Sequence, residues 1–366
     1  MLLICIEIQY IIIKSGDVMY EKLCKNLDIE SINKAKYRLD KLSKPLGSLG
    51  WLENIIMQIS GILNTPSPNV SKKAIVIMCA DNGVVKEGVS QVGSDVTKIV
   101  ANNFTKNITA INHFTNFYKQ DMRIVDIGIN TDVSNKNIIN KKIMYGTNNM
   151  TLGPAMTKEQ AIKAIDVGIN IVKNLKKEGY ALIGTGEMGI GNTTTSSAIL
   201  HVLTNYDLDI ITGRGAGLSN KGLIIKKDSI KKAIKLNKPD KTDPIDVLSK
   251  VGGLDIAGMC GMFIGGAIYE MPIIIDGFIS SIAALLAYKI CPPCKECMIP
   301  SHGSDEPGSK YVFEQLDLKP VLDMQMRLGE GTGASMLMGI IDLAFNVYYN
   351  MGTFDEANVV QYKKQN

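Results

Sequence analysis

The sequence predicts an α/β protein with a doubly wound parallel sheet and a small helical domain built from both ends of the chain. Three observations carry that expectation. Short apolar runs alternate with helical stretches, glycine-rich loops follow most of the runs, and residues 19–62 and 308–349 read as helices without strands. The runs are continuously apolar rather than alternating, as strands of a parallel sheet covered on both faces must be.

Each element follows in order. Residues 1–18 are apolar but too few to span a bilayer, and they contain Glu7. They lack a basic start and a small-residue cleavage site, so they are expected to be a dispensable extension. Residues 19–72 are expected to form the N-terminal part of the small helical domain. The large domain then spans 73–304, with strands at KAIVIMCA (73–80), MRIVDIGI (122–129), YALIGT (180–185), LDIIT (208–212) and MPIIID (271–276). A long helix is expected from Thr157 to Gly179, opened by a capping box of Thr157 and Gln160 and closed by the glycine. Residues 305–366 complete the helical domain.

Composition removes several function classes. The chain has 366 residues, is 45% hydrophobic and carries a formal net charge of +4. Its basic runs, Lys231-Lys232 and Lys363-Lys364, are short solvated faces. Neither a nucleic-acid nor a membrane partner is expected. Seven cysteines, an odd number in a long chain, point to a reducing, cytoplasmic setting rather than a disulfide framework. Three scattered histidines and no H-E-x-x-H argue against a His-rich metal site. Cys291, Cys294 and Cys297 have C-x2-C-x2-C spacing, but Ser301 stands where a ferredoxin would place its fourth cysteine. They are read as structural thiols in a loop leading to a strand-like CMIPS, with no metal expected.

Ligands of doubly wound sheets bind at the carboxyl ends of the strands. The candidate loops are Asp81-Asn82-Gly83, Gly184 to Asn192, Gly213 to Gly217, and Asp276-Gly277. Gly184, Gly186 and Gly189 spell G-x-G-x-x-G, yet a dinucleotide site needs an acidic residue about 20 positions on, at the end of the next strand. Asp207 and Asp209 have the spacing but precede LDIIT. Glu187 would also repel a pyrophosphate. A single phosphate fits better. Gly189-Ile190-Gly191-Asn192 opens a helix whose first residues are Thr193-Thr194-Thr195-Ser196-Ser197, and the free N–H groups of a helix start attract anions. Glu187 then faces the rest of the substrate. Lys226 is a candidate counter-charge, unless it is an ordinary solvated helix lysine.

Several segments together resemble one family: KPLGSLGWLE (44–53), CADNGVVKEGVS (79–90), GEMGIGNTTTSSAI (186–199), GRGAGL (213–218), VGGLDIAGMCG (251–261), DGFISSIAALLA (276–287), SHGSDEPG (301–308) and RLGEGTGA (327–334). The chain is similar over nearly its whole length to the nicotinate-nucleotide–dimethylbenzimidazole phosphoribosyltransferases. That resemblance implies a Rossmann-like fold, a homodimer, and transfer of 5-phosphoribose from nicotinate mononucleotide to 5,6-dimethylbenzimidazole for the cobalamin lower ligand. The pyridinium leaving group departs neutral at nitrogen, so neither a general acid nor Mg²⁺ is implied, and no cofactor. A base is required for the proton of the attacking benzimidazole. The resemblance places it on Glu330 of RLGEGTG, in the C-terminal region, between Gly329 and Gly331; pairing with Arg327 is the structural alternative. It places phosphate and ribose contacts on Glu187, Gly189, Gly191, Asn192, Thr193 and Lys226, and acceptor contacts on Ser90 and the Asp81 loop. Two residues depart from the family pattern: Asn82 stands where histidine is common, and Asp255 where glutamate is common. Other azoles, adenine or phenols remain possible acceptors, and a catalytically silent nucleotide-binding protein is the alternative of another class.

Overall fold

A computed structural model describes residues 20–362. Six parallel strands make one sheet: β1 (Lys73–Ala80), β2 (Asp121–Gly128), β3 (Ile138–Asn140), β4 (Leu182–Met188), β5 (Ile273–Ile275) and β6 (Met298–Pro300), in the order β3-β2-β1-β4-β5-β6. That is the doubly wound order, and it reverses between β1 and β4. All eight residues of β1 are buried, which explains why its run is apolar without alternation.

Two apolar layers cover the sheet. On one face, α1 (Ile29–Lys41), α2 (Trp51–Ile62) and α13 (Thr332–Asn350) share a cluster with Ile75, Ile77 and Cys79 of β1. Thus both ends of the chain pack on the same side. In α2, Ile55, Ile56 and Ile59 are nearly or fully buried, each contributing about 1.5–3 kcal/mol by removal from water. On the other face lie α5 (Lys158–Lys177), α10 (Leu254–Tyr269) and α11 (Phe278–Ile290), with Val76 and Met78 of β1 turned toward them. Helix α5 opens with the expected capping box of Thr157 and Gln160.

LDIIT is not a strand. Leu208–Ile211 form a short helix, α7, whose cap Asp207 accepts from the backbone N–H of Asp209. Leu208 and Ile211 are buried while Ile210 is 53% exposed, a three-residue spacing that suits a helix and not a pleat. Strand β3 was not expected from the sequence; its three residues were too short a run to stand out.

The expectation for residues 1–18 lies outside the described residues. The first described residue, Tyr20, is 1% exposed, and Lys25 N–H donates to Ala267 O of α10. Removal of residues 1–18 should leave melting temperature and turnover nearly unchanged, whereas removal through Lys25 should lower the melting temperature. Equal losses in a thermal scan of the two truncations would place the extension in the fold.

Candidate active site

The crevice at the strand-order reversal opens into a cavity of about 600 Å³. The ends of the strands build its floor. Glu187 and Met188 close β4, Asp276 follows β5, and His302 follows β6. Ser90 enters from the loop after β1, and Gly329 and Glu330 from the loop before α13.

One end of the cavity is formed by a helix start. Gly191, at φ +91°, caps helix α6 (Asn192–Thr204) and lines the cavity with Gly189, Asn192 and Thr193. Arg214 and Gly215 face them. Of the five consecutive hydroxyl residues, only Thr193 reaches the cavity. A helix turns successive side chains through 100°, and α6 is buried nearly all round: Thr195 and Ser197 donate back to Asn192 O and Thr193 O. Lys226, on α8 (Asn220–Asn237), is fully buried, so the solvated-lysine reading fails. It stands behind the lining, donating to Thr193 Oγ1 and Gly213 O, both at 2.9 Å. Burial lowers it to about 8, against an opposing pull from Glu306. Glu306 itself accepts from Gly215 N–H at 2.9 Å, while its Oε2 is buried without a partner.

The other end is acidic. Glu187 is buried and accepts from Asn192 Nδ2, which also donates to Asp255 at 3.0 Å. Burial, reinforced by the charge of Asp255, pushes Glu187 up to about 8. Burial likewise raises Asp255 to about 6. Glu330 is raised by burial, opposed by the N–H of Ile111 and reinforced by Asp276. It does not pair with Arg327, whose nearest acid is Asp305 at 3.5 Å. Gly329, Glu330 and Gly331 all have positive φ, +79°, +60° and +88°. A glutamate held in that region costs about 1–3 kcal/mol, strain of the kind stored at functional sites.

The glycine fingerprint has a different task from cradling a pyrophosphate. Gly184 and Gly186 lie inside β4. A Cβ at Gly184 would meet Ala334 at 3.0 Å, and one at Gly186 would meet Glu330 O at 2.8 Å. These glycines let α13 and its leading loop lie directly on the strand. Asp207 caps a short helix that holds Asp209, and Asp209 pairs with Lys227, so neither is placed as a ribose partner.

The structure thus brings Ser90, Glu187, Gly189, Gly191, Asn192, Thr193, Gly329 and Glu330 into one cavity lining. Asp81, Lys226 and Gly331 lie behind it: Asp81 accepts from Asn130 N–H, and Gly331 donates to Asp276. Sequence reasoning placed Asp276 in a candidate strand-end loop without giving it a role of its own, and gave none to Ser304 and Glu306; all three line the cavity. The signal for Ser304 and Glu306 was membership of the SHGSDEPG segment. Asn82 is fully buried, and its Nδ2 lies 3.4 Å from Ile190 O.

The cysteine loop lies at the far end of α11. The contact made there is with a thiol the spacing did not include: Cys24 Sγ lies 3.3 Å from Cys291 Sγ. Among the described residues, no group of three or more His, Cys, Asp or Glu is arranged to hold a metal ion. Elemental analysis of protein purified without oxygen should find no stoichiometric iron or zinc; one atom per chain would overturn the structural-thiol reading.

A phosphoribosyltransferase family model matches residues 24–359. The nicotinate-nucleotide–dimethylbenzimidazole phosphoribosyltransferase of Clostridium acetobutylicum is 54% identical, covering 92% of this chain and 96% of its own. The enzyme of the same name from Ruminiclostridium cellulolyticum is 53% identical, over 93% and 96%. The crystal structure of the Thermus thermophilus enzyme so named superposes with a TM-score of 0.85 at 33% identity, covering 92% of this chain and all of that one.

Proposed function

Since the chain belongs to the nicotinate-nucleotide–dimethylbenzimidazole phosphoribosyltransferase family, we propose that it moves the 5-phosphoribosyl group from nicotinate mononucleotide to 5,6-dimethylbenzimidazole. The products are α-ribazole 5′-phosphate and nicotinate. One observation carries this reading beyond membership: a single cavity joins an anion-binding helix start to an end lined with carboxylates.

In this reading the phosphate sits at Gly191–Thr193, with Lys226 supplying charge through Thr193. The ribose lies toward Glu187. The C1′–N bond to nicotinate breaks and its electron pair goes to the pyridine nitrogen. One nitrogen of the benzimidazole bonds C1′ from the opposite face, inverting β to α. The proton on the other nitrogen goes to Glu330. Asp255, Asp276 and Glu330 give the acidic end a negative potential where cationic charge develops on the ribosyl carbon. Burial keeps Glu187 mostly protonated near neutrality, which counts against it as the base. Family membership also supports action as a homodimer in the cytoplasm, which sedimentation and fractionation would check.

The test is incubation with nicotinate mononucleotide and a panel of dimethylbenzimidazole, adenine and phenol, with products identified by mass. The phosphoribosyl adduct of dimethylbenzimidazole is expected, at a rate unchanged by a chelator. Loss of turnover with chelator would contradict the cationic-leaving-group argument. Absence of every adduct would favour the silent nucleotide-binding alternative.

A further inference from the structure

We infer that Asp276 is the positioning residue of the reaction: its carboxylate ties the start of α13 to the end of β5 and so fixes the loop that presents Glu330. The inference rests on the reaction proposed above.

Helix N-termini leave their first N–H groups without intrahelical partners. Helix α13 begins at Thr332 with Gly331 as its cap, and no side chain of its own satisfies those donors. Asp276 does so from another element. Its Oδ2 accepts from Gly331 N–H at 3.2 Å and its Oδ1 from Ala334 N–H at 3.0 Å. Burial raises Asp276, and these N–H groups, with that of Gly333, oppose it by favouring the charged form. Asp276 is 2% exposed, so its charge depends on these donors and on the His302 ring beside it.

Asp276 is itself held rigidly. Its N–H faces Ser280 Oγ at 3.1 Å, and Ser301 Oγ donates to its carbonyl at 2.9 Å. Thr185 of β4 closes the same network by donating to Ile274 O at 2.9 Å. The anchor therefore draws on three adjacent strands, β4, β5 and β6. On the other side of the two amide bonds stands a loop of three positive-φ residues that includes a glutamate. Backbone of that kind persists only where its surroundings over-determine it. Gly331 is the last of the three, and it is tied directly. Burial is the main cause that raises Glu330, and the same carboxylate adds to it, so Asp276 fixes the place of the base and contributes to its proton affinity.

Asp276→Asn keeps size but cannot accept both bonds, because one end of the amide is a donor. It should lower kcat about 10- to 100-fold while the KM for nicotinate mononucleotide stays within threefold. The acidic limb of kcat should move to lower pH, because a negative neighbour of Glu330 is gone. A merely structural role would lower the amount of folded enzyme without moving that limb. Unchanged kcat and an unmoved limb would overturn the inference. Should the variant fail to fold, amide hydrogen exchange on the unaltered protein decides: Gly331 and Ala334 should be protected, and rapid exchange there overturns the tie. That measurement stands even if Glu330→Gln retains full turnover, which would sink the base assignment alone.

Discussion

Glu330→Gln is expected to lower kcat by about 10²–10⁴-fold, the usual contribution of a positioned general base. Gln keeps the size of the side chain and can still accept from Ile111 N–H, so the strained loop has no reason to move. The proposed phosphate contacts come from Gly191–Thr193 and not from Glu330, so the KM for nicotinate mononucleotide should change little. The pH profile gives an independent reading. Glu330 works only when ionised, and burial raises its pKa above the ordinary carboxylate value of 4.5. Turnover should therefore fall as pH drops through that raised value, and the acidic limb should disappear in the variant. Near-normal kcat with the same limb would move the base to Glu187.

Lys226→Met should act on the other end. Its ammonium donates to Thr193 Oγ1 from behind the lining, and bonds to charged donors contribute about 1.5–3 kcal/mol. The KM for nicotinate mononucleotide should rise by about 10- to 100-fold, with kcat at saturation altered far less. Lys226 has a pKa of about 8 in the folded chain against an ordinary 10.5. Between those values the unfolded chain keeps the proton and the folded chain does not. Stability contributed by this group therefore rises with pH across that window, and the variant should lose the rise. Substrate capture moves the opposite way, weakening above about 8 as the charge is lost. The alkaline limb of kcat/KM should flatten in the variant; an unaltered limb would assign it to Glu187, which titrates in the same range.

Much of the fold was legible because burial on both faces leaves a plain mark on sequence. The runs at 73–80 and 122–129 became β1 and β2 almost residue for residue. Periodicity failed at LDIIT, because five residues cannot separate a strand from a helical turn. Asp207 was the stronger signal there, since a side chain able to cap its own next turn favours a helix.

By itself, the sequence determined the fold class, the family and most of the loops that line the cavity, since all three are written in local order: apolar runs, glycine positions and the succession of motifs. It named Glu187, Glu330 and the Gly189–Thr193 helix start. The tertiary structure alone decided which named groups face the cavity. Helical rotation kept Thr193 in the lining and turned its four hydroxyl neighbours away. Packing made Lys226 a buried charge behind Thr193 rather than a solvated one. The bonds from Asp276 to Gly331 and Ala334 span 55 and 58 positions of chain, and no local pattern records them. The physical reason is range: propensity and pattern act over a few residues, whereas contact, burial and pKa depend on neighbours that only folding brings together.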